Sequence, residues 1–287
     1  MGLFDRFKKN EPAPQPAKNE QPSDLFLAID KVKKSQGPAA MAELSHVLKS
    51  YIDEGTWVPM PITEDSKGYQ LRIAEARGQG YAVMYSDHSE VRAPGDIAVT
   101  DINKLLEPVF ANKEIAGIII DPETSGLCLD KCFLLKCILH GYLPQTHYRK
   151  PCQRDWGVGI PKYSQADLMS EGEMLNFAME ILLGNEKAFA SMTPISACDH
   201  LSAIPNLIFE DNGRFVFVVV RGYCAENEPE LSVDVRNLLA SYHERFGATC
   251  YYAPVGFRST DSKRFGACLA LNGDGFYAKY TGLTKVI

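Results

Sequence analysis

Six soft metal ligands fall within one stretch of the chain: Cys128, Cys132, Cys137, His140, His147 and Cys152. Zinc needs four such groups converging as a tetrahedron, usually delivered as two close pairs. Cys132 and Cys137 are five residues apart, about 140° around a helix, so one continuous helix cannot aim both at one ion. Only Cys137 with His140 and His147 with Cys152 make sensible pairs, and these four are the candidate metal set. The competing reading is that Cys132 and Cys137 sit in an apolar helix, where cysteine acts as a small buried residue. That reading is preferred, and no metal or other cofactor is expected.

Cys198, Asp199 and His200 are the parts of a cysteine hydrolase. Catalytic members of such a set are brought together by the fold, whereas sequence neighbours generally point apart, so a turn after Pro194 is the better expectation. Asp87, His88 and Asp121 follow strand ends, where loops carry binding groups on a rigid sheet, and they are the candidate binding residues. Asn272-Gly273-Asp274-Gly275 lacks the bidentate glutamate and spacing of a calcium loop. There is no phosphate loop with its lysine and no dinucleotide fingerprint.

The elements that would position these groups follow from periodicity. Ile115, Ile118, Ile119 and Ile120 form a β-branched run suited to a central strand covered on both faces. Asp121-Pro122 ends it, since proline brings no amide donor and biases the preceding residue towards extended backbone. Asp130 caps the apolar helix that follows. Upstream, Ser23 and Pro38 open two amphipathic helices, TWVPM, YQLRI and GYAVMYS read as strands, and Thr100 or Asp101 caps a helix that Pro108 shortens or kinks. Residues 141–163 hold no periodicity, and Ser164 caps a helix bearing Leu168, Leu175, Ala178, Met179 and Leu182. Further on, Asn212-Gly213 joins NLIFED and RFVFVVVR as a hairpin, a helix runs from Leu231 to Phe246, with His243 on its surface, and TCYYAPVGF, RFGACLALN and GFYAKYTGL add three strands to an antiparallel sheet.

With 287 residues, 23% charged, 45% hydrophobic and a net charge of −6, the chain has a soluble globular composition and no basic stripe for nucleic acid. Eight cysteines in this length do not make a disulfide scaffold, and the hydrophobic runs are too short to span a bilayer, so a reducing cytoplasm is expected. The opening MGLFDRFKKN sets Leu3, Phe4 and Phe7 against Lys8 and Lys9, a short basic amphipath that binds a membrane surface only weakly by itself. Residues 11–22 read as a polar, proline-rich tether.

The leading helical pair, TWVPMPI, YAVMYSDHSEV, DINKLLEPVF and GIIIDPETSGLCLDKCFLLK come in an order that resembles the N-terminal domain of the SseB family, named for enhanced serine sensitivity. The likeness covers about residues 24–140 and lies in pattern more than in any signature peptide; family members commonly carry Asn-Pro where this chain has Asp121-Pro122. It implies a small bacterial α+β unit with no established chemistry, and hence a fold but no catalytic residue.

The organisation expected is a flexible tail (1–22), an SseB-like α+β domain (23–143), a linker with a connecting helix (144–190) and a second α+β domain (191–287). Each domain is a small mixed or antiparallel sheet packed with helices. The function expected is a non-catalytic cytoplasmic module that binds a protein partner or a small ligand. The alternatives are a Cys/His or zinc hydrolase and a peripheral membrane adaptor acting through residues 1–10.

Overall fold

The structure, a computed structural model, describes residues 22–35, 37–65, 68–92, 96–141, 170–225, 227–259 and 276–287. The chain divides into two compact units, residues 1–144 and 145–287, each built of small sheets packed with helices. The amphipath Leu3, Phe4, Phe7, Lys8 and Lys9, the ligands His147 and Cys152, Ser164, the strand RFGACLALN and the Asn272–Gly275 turn all lie outside the described residues.

The first unit runs α1 (Asp24–Ser35), α2 (Pro38–Glu54), β1 (Trp57–Asp65), β2 (Gly68–Leu71), β3 (Ile73–Ala76), β4 (Gln79–Met84), β5 (Asp96–Asp101), α3 (Ile102–Ala111), β6 (Ile115–Ile120), β7 (Leu127–Asp130) and α4 (Lys131–Leu139). Local chemistry sets the helix starts. Ser23 Oγ accepts from Phe26 N at 3.1 Å, Asp101 from Asn103 N at 2.8 Å, and Asp130 from Phe133 N at 2.7 Å. Pro108 neither stops nor shortens α3, which continues to Ala111 because Asn112 N still donates to Pro108 O at 3.0 Å.

One sheet has the order β3-β4-β6-β7, with β4 and β6 parallel and the outer pairs antiparallel. A second, antiparallel sheet has the order β2-β1-β5. Tyr85 N donates to Pro59 O at 2.8 Å, which fastens β1 beside the end of β4. Tyr81, Val83, Tyr85 and Ile119 form a cluster on one face, packed by Ile97 of β5 and by Val91. Met84, Ile118 and Ile120 on the other face are fully buried, as are Leu25, Leu44, Leu48, Leu105 and Leu134 of the helices. The central position expected for β6 is therefore observed. YQLRI divides at Arg72 into strands of two different sheets, and a further strand, β7, precedes α4.

The second unit runs α5 (Glu171–Asn185), β8 (Thr193–Ala197), β9 (Leu207–Asp211), β10 (Arg214–Tyr223), α6 (Val233–Phe246), β11 (Thr249–Ser259), β12 (Phe276–Tyr280) and β13 (Thr284–Lys285). Asn212 and Gly213 turn the β9–β10 hairpin with φ of 51° and 75°, the left-handed pair that a two-residue hairpin favours. The sheet order is β12-β11-β10-β9-β8, and it is not antiparallel throughout: β10 and β11 are parallel over eight residue pairs. A strand that returns through a helix re-enters the sheet in its original direction, so α6 makes this pair parallel.

Two expectations about α5 change. Its described cap is Ser170, which forms a reciprocal box with Glu173, and the helix is not a connector. Met174, Leu175, Ala178, Met179 and Leu182 enter one core with Val216, Val218 and Val220 of β10 and Ala253, Val255 and Phe257 of β11. α6 covers the opposite face, where Tyr242 and Phe246 meet Phe217 edge-on at 6.0 and 6.1 Å.

Candidate functional site

In the first unit, the parallel pair brings the carboxyl ends of β4 and β6 together, the end of an α/β sheet at which ligands commonly bind. β4 leads into Ser86, Asp87 and a 3-10 turn, His88–Glu90; β6 leads into Asp121. Asp121 is 1% exposed, with Oδ1 accepting from Ser86 N at 2.8 Å and Oδ2 from Ser86 Oγ at 2.6 Å. Its carbonyl accepts from the amides of Thr124, Ser125 and Gly126. Its φ is +48°, contrary to the extended backbone expected before Pro122, because the carboxylate is held against Ser86. Burial pushes this carboxyl above its ordinary range, partly offset by the two bonds from Ser86.

Asp121 is thus a clasp between strand ends, set beneath the rim. Asp87 caps the 3-10 turn by accepting from Ser89 N at 2.9 Å, and its other oxygen accepts from Ser23 N at 3.3 Å. Its carboxyl lies below its ordinary range: bonds from Ser89 and Ser23, with the charge of His88, outweigh burial, the largest single influence and an opposing one. Thr124 Oγ1 donates to Glu90 at 2.6 Å, and Ser23 Oγ to Ser86 O at 2.7 Å. The result is an exposed turn bearing His88, tied down from three sides.

Trp57 was legible in the sequence only as a strand residue. It is 60% exposed, and the antiparallel fastening of β1 to β4 places the start of β1 at the same sheet end as His88. An indole on the first residue of a strand, after a helix and its left-handed cap Gly55, was the available signal.

Among the described residues the candidate reactive groups do not converge. Cys137 is buried, with its sulfur 2.9 Å from Ser45 Oγ, and burial pushes its thiol up to about 11. His140 is buried just after α4. Among the described residues no three His, Cys, Asp or Glu side chains gather as metal ligands. Cys198 is buried after β8; its amide donates to Asn206 O at 2.8 Å, and burial raises its thiol. His200 Nδ1 turns to Ser202 Oγ at 2.7 Å, and His243 Nδ1 to Ala248 O at 2.8 Å. Cys250, beneath α6, is likewise pushed up to about 11 by burial. At pH 8 such thiols are about 0.1% thiolate, so peptide mapping after iodoacetamide treatment is expected to show Cys137 and Cys250 reacting about a hundredfold more slowly than in the urea-unfolded chain.

The second unit holds an open cleft of about 410 Å³, lined by Leu183, Phe189, Met192, Pro194, Phe209 and Lys187. Phe189 and Phe209 stack at 4.4 Å on its wall. Glu186 at its edge accepts from Ala188 N at 3.2 Å and from Tyr280 Oη at 2.7 Å.

Residues 172–286 are similar to a domain of unknown function, DUF8840. The DUF8840-like stretch starts at the second residue of α5 and reaches Val286, so it takes in α5 together with every strand of the second unit's sheet. The search of curated proteins and the search of solved structures each returned no match. No helix among the described residues is long and apolar enough to cross a membrane.

Proposed function

We propose that this chain is a non-catalytic, SseB-like binding module of the cytoplasm, and that its first unit takes a protein partner on the rim formed by Trp57, Asp87 and His88. The observation that carries the reading is a largely exposed indole at the same sheet end as an exposed turn braced from below by Ser86, Asp121, Thr124 and Ser23. A rigid support under exposed groups lowers the ordering cost of association, and tryptophan is a common anchor in protein interfaces. The SseB-like assignment is supported by the first unit's element order: a helical pair, β1, β4, α3 and β6 follow in the sequence that the resemblance requires. A reducing compartment is supported by the six described cysteines, all free thiols.

The test places a photo-crosslinking amino acid at position 88 and, as a control, at Lys113, beyond the opposite end of β6. Irradiation in cells is expected to give one discrete adduct from position 88, competed by untagged wild-type chain and lost in a Trp57→Ala background. Equal adduct patterns from both positions, or none from position 88, would defeat the proposal.

A further inference from the structure

We propose that the second unit carries a carboxylate-binding site built on Arg221. Side chains alternate along β10, so Arg221 and Tyr223 share the face that carries Phe217 and Val219. α6 covers that face at Phe217, and towards the carboxyl end of β10 the face becomes polar. In the parallel register Val219 stands opposite Tyr252 and Tyr223 opposite Gly256, which brings Arg221 between two phenols. The Tyr223 ring lies over Gly256, where a β-carbon would meet its Cζ at 2.9 Å.

One side of the guanidinium is already committed. Asn206 is fully buried, and its Oδ1 accepts from Val220 N at 2.9 Å and from Arg221 Nη1 at 3.1 Å. Nη1 also donates to Val220 O at 2.8 Å. Its two protons are therefore spent on groups fixed by the sheet, and they set the plane of the guanidinium. The remaining edge, Nε with Nη2, bonds to nothing among the described residues and is the edge that presents two parallel N–H groups. No ion pair joins Arg221 to a carboxylate among the described residues.

Burial lowers the guanidinium's affinity for its proton, offset only in part by Tyr252, and no described carboxylate provides a counter-charge. A carboxylate laid against the Nε and Nη2 edge would supply that charge in the geometry arginine favours. The neighbouring charges select for a single negative charge over two. Exposed Glu228 lies within electrostatic reach of both Tyr223 and Tyr252, and with burial it raises both phenols, Tyr252 to about 12. A doubly charged phosphate would meet that carboxylate at the same rim.

The experiment is a titration of the full chain with sodium acetate and, separately, with inorganic phosphate at matched ionic strength. The readout is the arginine Nε–H signals by nitrogen-15 NMR, assigned by triple resonance. Acetate is expected to shift the Arg221 signal saturably while Arg258, stacked 4.1 Å over Tyr277, stays in place. Arg221→Lys keeps the charge but loses the fork, and is expected to weaken acetate about tenfold or more, read at the amides of Val220 and Gly222. A non-saturating shift, an equal shift at Arg258, or tighter binding of phosphate than of acetate would overturn the proposal. The wild-type titration decides the matter even if the lysine variant does not fold.

Discussion

Gly117→Ala is expected to cost the first unit about 3 kcal/mol or more, enough to unfold a marginally stable unit. Gly117 sits in β6 opposite Asp130 of β7, and a β-carbon there would lie 2.0 Å from the carbonyl oxygen of Leu129 and 2.8 Å from the α-carbon of Asp130. Both are backbone atoms, so no side-chain rotation relieves the clash. Either β7 leaves the sheet or the central strand moves, and both break a core in which Ile118 and Ile120 are fully buried. Gly78→Ala is the control: φ there is +73°, but an added carbon meets nothing within 4 Å, so only backbone strain of about 1 kcal/mol is expected. Hydrogen exchange of the β4 and β6 amides in a urea series separates the two. Equal losses in both variants would mean that the close strand approach at Gly117 is wrong.

Asp121→Ala is the second substitution expected to hurt severely, by about 3 kcal/mol. It removes the acceptors of Ser86 N and Ser86 Oγ at a site 1% exposed, and leaves alanine at a φ of +48°. Asp121→Asn keeps an acceptor and tolerates the left-handed backbone, so its loss should stay within about 1.5 kcal/mol. The pH dependence follows from the raised carboxyl, whose first cause is burial. Between its ordinary value of 3.8 and its value in the folded chain, the folded state holds more protons than the unfolded state. Stability therefore falls as pH rises through that window, opposite to the usual behaviour of a paired carboxylate. The wild-type chain should gain stability relative to Asp121→Asn as pH is lowered towards 4, read as the difference in urea midpoints; a growing deficit at low pH would show the sign to be reversed.

The clasp fits the proposal that the rim is a contact surface. Ser86 ties the end of β4 to Asp121, Ser23 ties the start of α1 to Ser86, and Thr124 ties the turn after β6 to Glu90. His88 is exposed on the turn that these bonds enclose, so a partner of the proposed kind would meet it and Trp57 on a support already in place.

Much of this was legible in the residues themselves, wherever the cause is local. Asp130 and Asp101 cap helices because a short carboxylate reaches the free amides of the first turn. Asn212-Gly213 turns a hairpin because those two residues accept left-handed backbone. The run from Ile115 to Ile120 declared a strand with two covered faces, and a chain of such runs broken by amphipathic helices declared an α+β protein. What could not be read there depends on partners remote in the chain. The pairing of Asp121 with Ser86 spans 35 residues, and that of Arg221 with Asn206 spans 15, from the end of β10 back to the residue that precedes β9. α5 reads as a connector until the valines of β10 are seen beneath it. Periodicity tells a segment which face to hide, but the surface that hides it, and the polar groups trapped or left open at its margin, are set by which strands become neighbours when the core closes.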